Sequence, residues 1–303
     1  MCGISGIMYK KSTDRNSAPI GAGLVKMLDA LAHRGRDSTG ITIAGEKTTE
    51  DYIVRIWTNE KKASDVVAKA EEAMIRTGAV VVSNTHLNGF ARLTVNYEGK
   101  VSNLASALVN TKGVELHSIG ENSEIIKDVG TATRMDTIHK ISGFRGTHGI
   151  GHVRMATESK VDINHAHPFW AYPFSDVTVV HNGQLTNYHK LKRMYEDHGH
   201  RFQTENDSEI IAVYLADKLA SGDTLDSALR QSLDDLDGTF TYLVSTRNGL
   251  GYAKDQWSAK PLVSMETDDI IALASEEIAL HGIFDTVVDR IEPQESEVMT
   301  WSV

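Results

Sequence analysis

Apolar residues in this chain alternate between short continuous runs and spaced stripes. "CGISGIMYK" (2–10) has a strand-like run directly behind the first residue. Over 19–33, Leu24, Met27, Leu28 and Leu31 recur at helical spacing and predict a helix. "HRGRDSTG" (33–40) is a polar, glycine-bearing loop before a strand at "ITIAG". A strand at 51–57, a helix over 61–78 ending on Gly78 and a strand at 79–85 follow. Between 86 and 147 the pattern predicts helices at 99–110 and 122–141 flanking a strand at "VELHSIG". Strands are expected at 147–157, 176–183, 239–247, 250–255, 261–266 and 269–276, and helices at 184–198, 208–220 and 224–236. The strands come in adjacent pairs, and tight connections such as "STRNGLGYA" suit hairpins. The expected class is therefore α+β with mainly antiparallel pairing. There is no internal repeat, low-complexity tract or Pro-rich linker, so one domain is expected over 1–303, with 45–146 as a large insertion or subdomain.

Composition narrows the function. Hydrophobic residues at 41% and charged residues at 24% supply an ordinary globular core. A net charge of -10 without a Lys/Arg-rich block argues against nucleic acid or an anionic membrane as partner. Neither a signal peptide nor a membrane-spanning run is present, and the lone cysteine excludes an intrachain disulfide. A cytoplasmic protein is expected.

That cysteine is Cys2. Removal of Met1 would leave a free α-amine on the residue that carries the thiol. An α-amine titrates at about 7.7–8.0 and a thiol at about 8.5, so one residue supplies nucleophile and general base. Cys2 equally suits a small apolar residue opening a strand.

"MCGISGI", "HRGRDSTG", "GHVRMAT", "HPF", "HNGQLTN" and "ENDSEII" occur in this order. Together they resemble the class II, N-terminal-nucleophile glutamine amidotransferase domain. Amidophosphoribosyltransferase, glucosamine-6-phosphate synthase, asparagine synthetase and glutamate synthase carry this domain. The resemblance covers 1–44 and 147–280. It implies an αββα fold of two antiparallel sheets between helices, L-glutamine as substrate and no cofactor. It also implies that Cys2 attacks the side-chain amide, that Arg154 binds the α-carboxylate through its planar guanidinium, and that Asp207 binds the α-ammonium. Asn182 and Gly183 would form the oxyanion hole. Thr157 would lie near the substrate carboxylate, and Arg34 would organise the nucleophile and a closing loop.

Each motif has a plainer reading. Arg154 suits an ion-paired strand face, Asn182-Gly183 a turn, and Asp207 a helix N-cap with Thr204 at capping-box spacing. The joint spacing favours the catalytic reading. Thirteen histidines raise a metal site, with His165 and His167 alternating and His152 and His181 nearby. His167 and His181 belong to the motifs above, and no metal is expected. Two departures stand out: "KDQWSAKPL" (254–262) replaces the family's R-D-P-x-G-x-R-P-L, and residues 45–146 lie largely outside the resemblance. The charged and apolar faces of the helix near 61–76, with Val66, Val67, Ala70 and Met74 on the apolar side, suggest packing onto the parent domain or a docking surface. No acceptor domain is recognised, so the chain resembles the free-standing amidotransferase subunit of split glutamate synthases and of N-methylglutamate synthase. A partner synthase subunit is expected. The alternative is a non-catalytic glutamine-sensing or assembly subunit of the same fold.

Overall fold

The computed structural model describes all residues except 1, 11–17, 46–48, 157–160, 285, 286 and 288. Along the chain lie β1 (Gly3–Tyr9), α1 (Ile20–Ala30), β2 (Ser38–Ala44), β3 (Tyr52–Trp57), α2 (Ala63–Arg76), β4 (Val80–Leu87), β5 (Phe90–Asn96) and α3 (Val101–Val109). Then come β6 (Glu115–Gly120), β7 (Ser123–Val129), α4 (Ala132–His139), β8 (His148–Arg154), β9 (Phe169–Trp170), β10 (Thr178–Leu185), α5 (Tyr188–Asp197), α6 (Asp207–Ala220) and α7 (Leu225–Asp235). The chain continues through β11 (Gly238–Thr246), β12 (Gly249–Lys254), β13 (Val263–Glu266), β14 (Ile270–Ala274), β15 (Arg290–Ile291) and β16 (Val298–Ser302).

Among the described residues these strands form three antiparallel sheets. Their orders are β15-β13-β14-β1-β8-β2-β7, β16-β12-β11-β10-β9 and β4-β5-β3-β6. The first two stack face to face. Alternation along β1 sends Ile4 and Met8 into the layer between them, where they meet Ile150, Val180, Leu243 and Leu273. Ile7 points the other way, into a core built with α1 and α4. The far face of the second sheet is covered by α5, α6 and α7, through residues such as Leu191, Ile211 and Leu229. The result is the four-layer αββα arrangement. Gly149 and Gly151 of β8 let α1 approach closely: a Cβ there would lie 2.9 Å from Leu24 Cδ1 and 2.8 Å from Leu28 Cδ1.

The third sheet carries α2 and α3 on one face and has its own core. Val66, Val67, Ala70 and Met74 of α2 are buried there, so the apolar stripe packs within this smaller unit rather than on the parent sheets. Trp170, Tyr172 and Ile125 join that core from the parent side.

The segment between 86 and 147 departs from expectation at two elements. Residues 123–129, expected as the start of a helix, form β7, and the helix is confined to α4. β7 is buried on both faces: Ile126 enters the α1 core and Ile125 the small-sheet core, so no alternation marks it. Strand β5 was not expected. It pairs with β4 through a tight turn at Asn88 and Gly89, both with positive φ, which is the hairpin use of an Asn-Gly pair.

Candidate active site

Strand pairing sets the site. β1 pairs with β8 so that Gly3 faces Val153, bringing Cys2 beside the end of β8. Met155 N–H donates to Cys2 Sγ at 3.4 Å, and Sγ lies 3.7 Å from Met155 O. The loop after α1 closes over this end. Gly35 sits against Arg154, where a Cβ would come within 2.4 Å of the Arg154 carbonyl carbon. Asp37 accepts a hydrogen bond from Ala156 N–H at 2.7 Å.

Arg34, buried, donates through Nε to Cys2 O at 2.8 Å and through Nη1 to Glu276 at 2.5 Å. His33 Nε2 lies 2.9 Å from the other Glu276 oxygen. Burial opposes ionisation of Glu276, but hydrogen bonds from Arg34 and His33 hold its carboxyl below the usual value. Ser275, at the end of β14, accepts from Ile4 N–H at 2.9 Å, so the first residues of β1 are clamped from both neighbouring strands.

Asn182 and Gly183 are not a turn: β10 runs through them to Leu185. Gly183 has φ of 141°, and a Cβ there would lie 2.0 Å from Thr239 O, so a larger residue would not fit. Asn182 Nδ2 donates to Cys2 O and to Ser275 Oγ, each at 3.2 Å. Both amide hydrogens are therefore engaged in this state, and its Oδ1 is buried without a partner among the described residues.

Asp207 opens α6, and the N-cap is its neighbour Asn206, whose side chain accepts from Ser208 N–H at 2.9 Å. Thr204 instead bonds Glu209. One Asp207 oxygen accepts from Leu185 N–H at 2.9 Å, and the other lies 3.6 Å from His181 Nδ1. Burial works against its charge, yet His181 and these hydrogen bonds keep its carboxyl below 3.8.

Behind it, Ser208 Oγ bridges His167 Nε2 at 2.8 Å and His181 Nδ1 at 3.0 Å. His152 stacks on His167 with ring centroids 4.0 Å apart. Burial lowers His152 to about 3 and His167 well below its ordinary value, so these two rings are neutral. His165 pairs with Asp162 at 2.6 Å instead of joining them. No group of three or more His, Cys, Asp or Glu among the described residues is arranged to hold a metal ion.

Cys2, Arg34, Arg154, Asn182, Gly183 and Asp207 thus line one cleft of about 240 Å³. Thr157 lies outside the described residues. Met155, Ser208 and Lys260 also line the cleft. All three had a sequence signal: Met155 lies in "GHVRMAT", Ser208 in "ENDSEII", and Lys260 replaces an arginine in "KDQWSAKPL". Glu276 and Ser275 had none.

Residues 152–282 match a glutamine amidotransferase domain. A protein of Methanothermobacter thermautotrophicus named as a candidate glutamine amidotransferase is 42% identical over 98% of this chain and 99% of its own length. The glutamine amidotransferase-like protein GlxB of Rhizobium meliloti is 36% identical over 99% of this chain and 98% of its own. Among solved structures, a glutamine phosphoribosylpyrophosphate amidotransferase of Bacillus subtilis superposes with a TM-score of 0.62 at 20% identity. That match covers 99% of this chain and 47% of the other. The four-layer arrangement is the N-terminal-nucleophile fold of glutamine amidotransferase domains. The chain belongs to the glutamine amidotransferase family and is an enzyme of that type. No helix among the described residues is long and apolar enough to cross a membrane.

Proposed function

We propose that this chain hydrolyses L-glutamine through a γ-glutamyl thioester on Cys2 and delivers the ammonia to a partner synthase, with a glutamate synthase-like or N-methylglutamate synthase-like acceptor as the first choice. The observation that carries the reading is the placement of Cys2, Arg154 and Asp207 around one cleft. Arg154 offers paired donors to a carboxylate, and Asp207 offers an anion to an ammonium. With Met1 removed, the Cys2 amine takes the thiol proton as sulfur attacks the amide carbon. The carbon–nitrogen bond then breaks, and the nitrogen leaves as ammonia with that proton. Water next attacks the thioester, releasing glutamate and restoring the thiol. Asn182 and Gly183 are the proposed donors to the oxygen that becomes negative in both steps.

The state of Asn182 supports activation by a partner. Its amide must give up Cys2 O or Ser275 Oγ before it can serve an oxyanion. A partner that binds the rearranged state more tightly would shift the balance. The small sheet offers a place for contact, because β4 lies at its edge with Val80, Val82 and Leu87 exposed. The expected compartment is the cytoplasm, where the lone thiol stays reduced.

The test is Cys2→Ala, which should lower glutaminase turnover by at least about 1000-fold without changing the fold. A glutamine-like electrophile should add one mass to the processed protein and none to the variant. Intact mass reports whether Met1 is removed. Unchanged turnover in a clean Cys2→Ala preparation would end the proposal.

A further inference from the structure

A second cavity, of about 350 Å³, lies where the small sheet meets the parent sheets. Its lining shares no residue with the Cys2 cleft. The two are separated by the first turn of α6, with Asp207 and Ser208 lining the cleft and Glu209 the cavity. Its size is within the range of small-molecule sites.

The cavity walls hold a set of buried and half-buried ionisable groups that the proposed reaction does not use. Lys127, on β7, is almost fully buried. Its ammonium donates to Ala166 O at 2.9 Å and sits 5.2 Å from the centre of the Phe169 ring. An ammonium has three donors, and the backbone contact occupies one. Glu115 has a buried carboxylate oxygen, Oε2, with no hydrogen-bond partner among the described residues, and His117 Nε2 is in the same condition. Glu209 is different. Its oxygens are filled by Gln203 N–H, Thr204 N–H and the Thr204 hydroxyl, at 2.6 to 2.8 Å. Burial pushes Glu115 up from 4.5 against the pull of an Asn164 hydrogen bond and the Lys127 charge, and brings Lys127 down to about 8 against the nearby Glu209, Glu115 and Asp162 carboxylates, so the partners present do not offset burial. Trp170 and Tyr172 supply an apolar wall beside them.

We propose that this cavity is a binding site for a free α-amino acid with an apolar or aromatic side chain, separate from the glutamine cleft. A zwitterion answers the two charged groups, Lys127 and Glu115. Its carboxylate takes the remaining Lys127 donors, and its ammonium donates to Glu115 Oε2. A simple anion or a simple cation would satisfy one of the two and leave the other's hydrogen-bonding capacity unmet. The side chain would lie on Trp170 and Tyr172.

The experiment is calorimetric titration of the full chain with each proteinogenic α-amino acid, supported by tryptophan fluorescence in the wild type and in Trp170→Phe. At least one apolar or aromatic amino acid should bind. Glu115→Gln and Lys127→Met should each weaken that binding by roughly 10- to 100-fold, the loss that follows removal of a hydrogen bond to a charged group. Arg154→Lys, which keeps the charge at a residue lining the glutamine cleft and not this cavity, should leave it unchanged. Glu115→Gln conserves shape and carries the test if Lys127→Met does not fold. The proposal is overturned if no such amino acid binds at millimolar concentration, if binding survives Glu115→Gln, or if Arg154→Lys abolishes it. None of these readouts uses turnover, so failure here is distinct from failure of the Cys2 chemistry.

Discussion

Arg154 and Asp207 differ from Asn182 in what the proposed reaction asks of them. The substrate α-carboxylate and α-ammonium keep their charges throughout, so side chains that hold them bind ground state and transition state alike. Arg154→Lys and Asp207→Asn should therefore raise KM with a smaller effect on kcat. Asn182 is proposed to meet charge that exists only in the transition state. Asn182→Ala should lower kcat by roughly 100- to 1000-fold with KM little changed. Steady-state kinetics of the three variants separates the two behaviours, and a rise in KM alone for Asn182→Ala would remove the oxyanion assignment. The residues of this set were legible because they lie inside short motifs with recognisable spacing. Their supporting contacts were not. Met155 reaches Cys2 across 153 positions, and Arg34 reaches Glu276 across 242. Contacts at such separations depend on strand register, which no local pattern encodes. Asn182 adds a second lesson: an Asn-Gly pair reads as a turn, but pairing with β11 through Leu185 extends the strand past it.

Among the elements, β7 was the hardest to read and holds an informative cluster. On the small sheet, Arg55 of β3 stands directly opposite Arg92 of β5. Like charges placed so are destabilising. Glu124 of β7 reaches in from the parent sheet, accepting from Arg55 at 2.6 Å and from Arg92 at 2.9 Å. A strand that buries a carboxylate on one residue and Ile125 on the next follows neither helical nor alternating periodicity, which explains why the sequence suggested a helix. Burial disfavours the Glu124 charge, but the two guanidiniums outweigh it and hold the carboxyl below its ordinary 4.5. Glu124→Gln would leave both arginines facing each other. It should destabilise the protein by about 3–5 kcal/mol at neutral pH, as expected when one partner of a buried ion cluster is removed. The sign of the pH dependence follows from the lowered folded value. The stabilisation is complete above about pH 4.5 and is lost as pH falls through the folded pKa. Denaturant unfolding of wild type and variant should therefore show a gap that is constant at neutral pH and narrows below about pH 4.5. A gap unchanged at low pH would mean that packing, not charge, holds this junction.

At the scale of the whole molecule, acid sensitivity should begin well above the window set by Glu124. Buried histidines are spread through the fold. His117 lies on β6, His148 and His152 on β8, and His167 just before β9. Burial lowers all four, His148 to about 4 and His152 to about 3, with His117 and His167 well below 6.5. For His148 the Thr246 carbonyl works the other way without overcoming burial. Near His117 the Lys127 and Arg55 charges add to burial in opposing its protonation. In the unfolded chain each imidazole binds a proton near pH 6.5, whereas in the folded chain it does not until far lower pH. Depressed folded values mean that this stabilisation is complete above about 6.5 and lost progressively as pH falls toward the folded values. At about pH 5 each such group costs about 2 kcal/mol, so His148 and His152 together remove about 4 kcal/mol. That is a large share of the 5–15 kcal/mol typical of a folded protein. Denaturant unfolding at about pH 7.5, 6 and 5 should show stability falling steadily across a range in which Glu124 remains ionised. His152→Phe, which cannot take up a proton, should reduce the slope even if it lowers the stability at neutral pH. Equal stability at about pH 7.5 and 5 would show that the folded protein accommodates charged imidazoles at these sites, and the neutral assignment of the stacked pair beside Asp207 would fall with it.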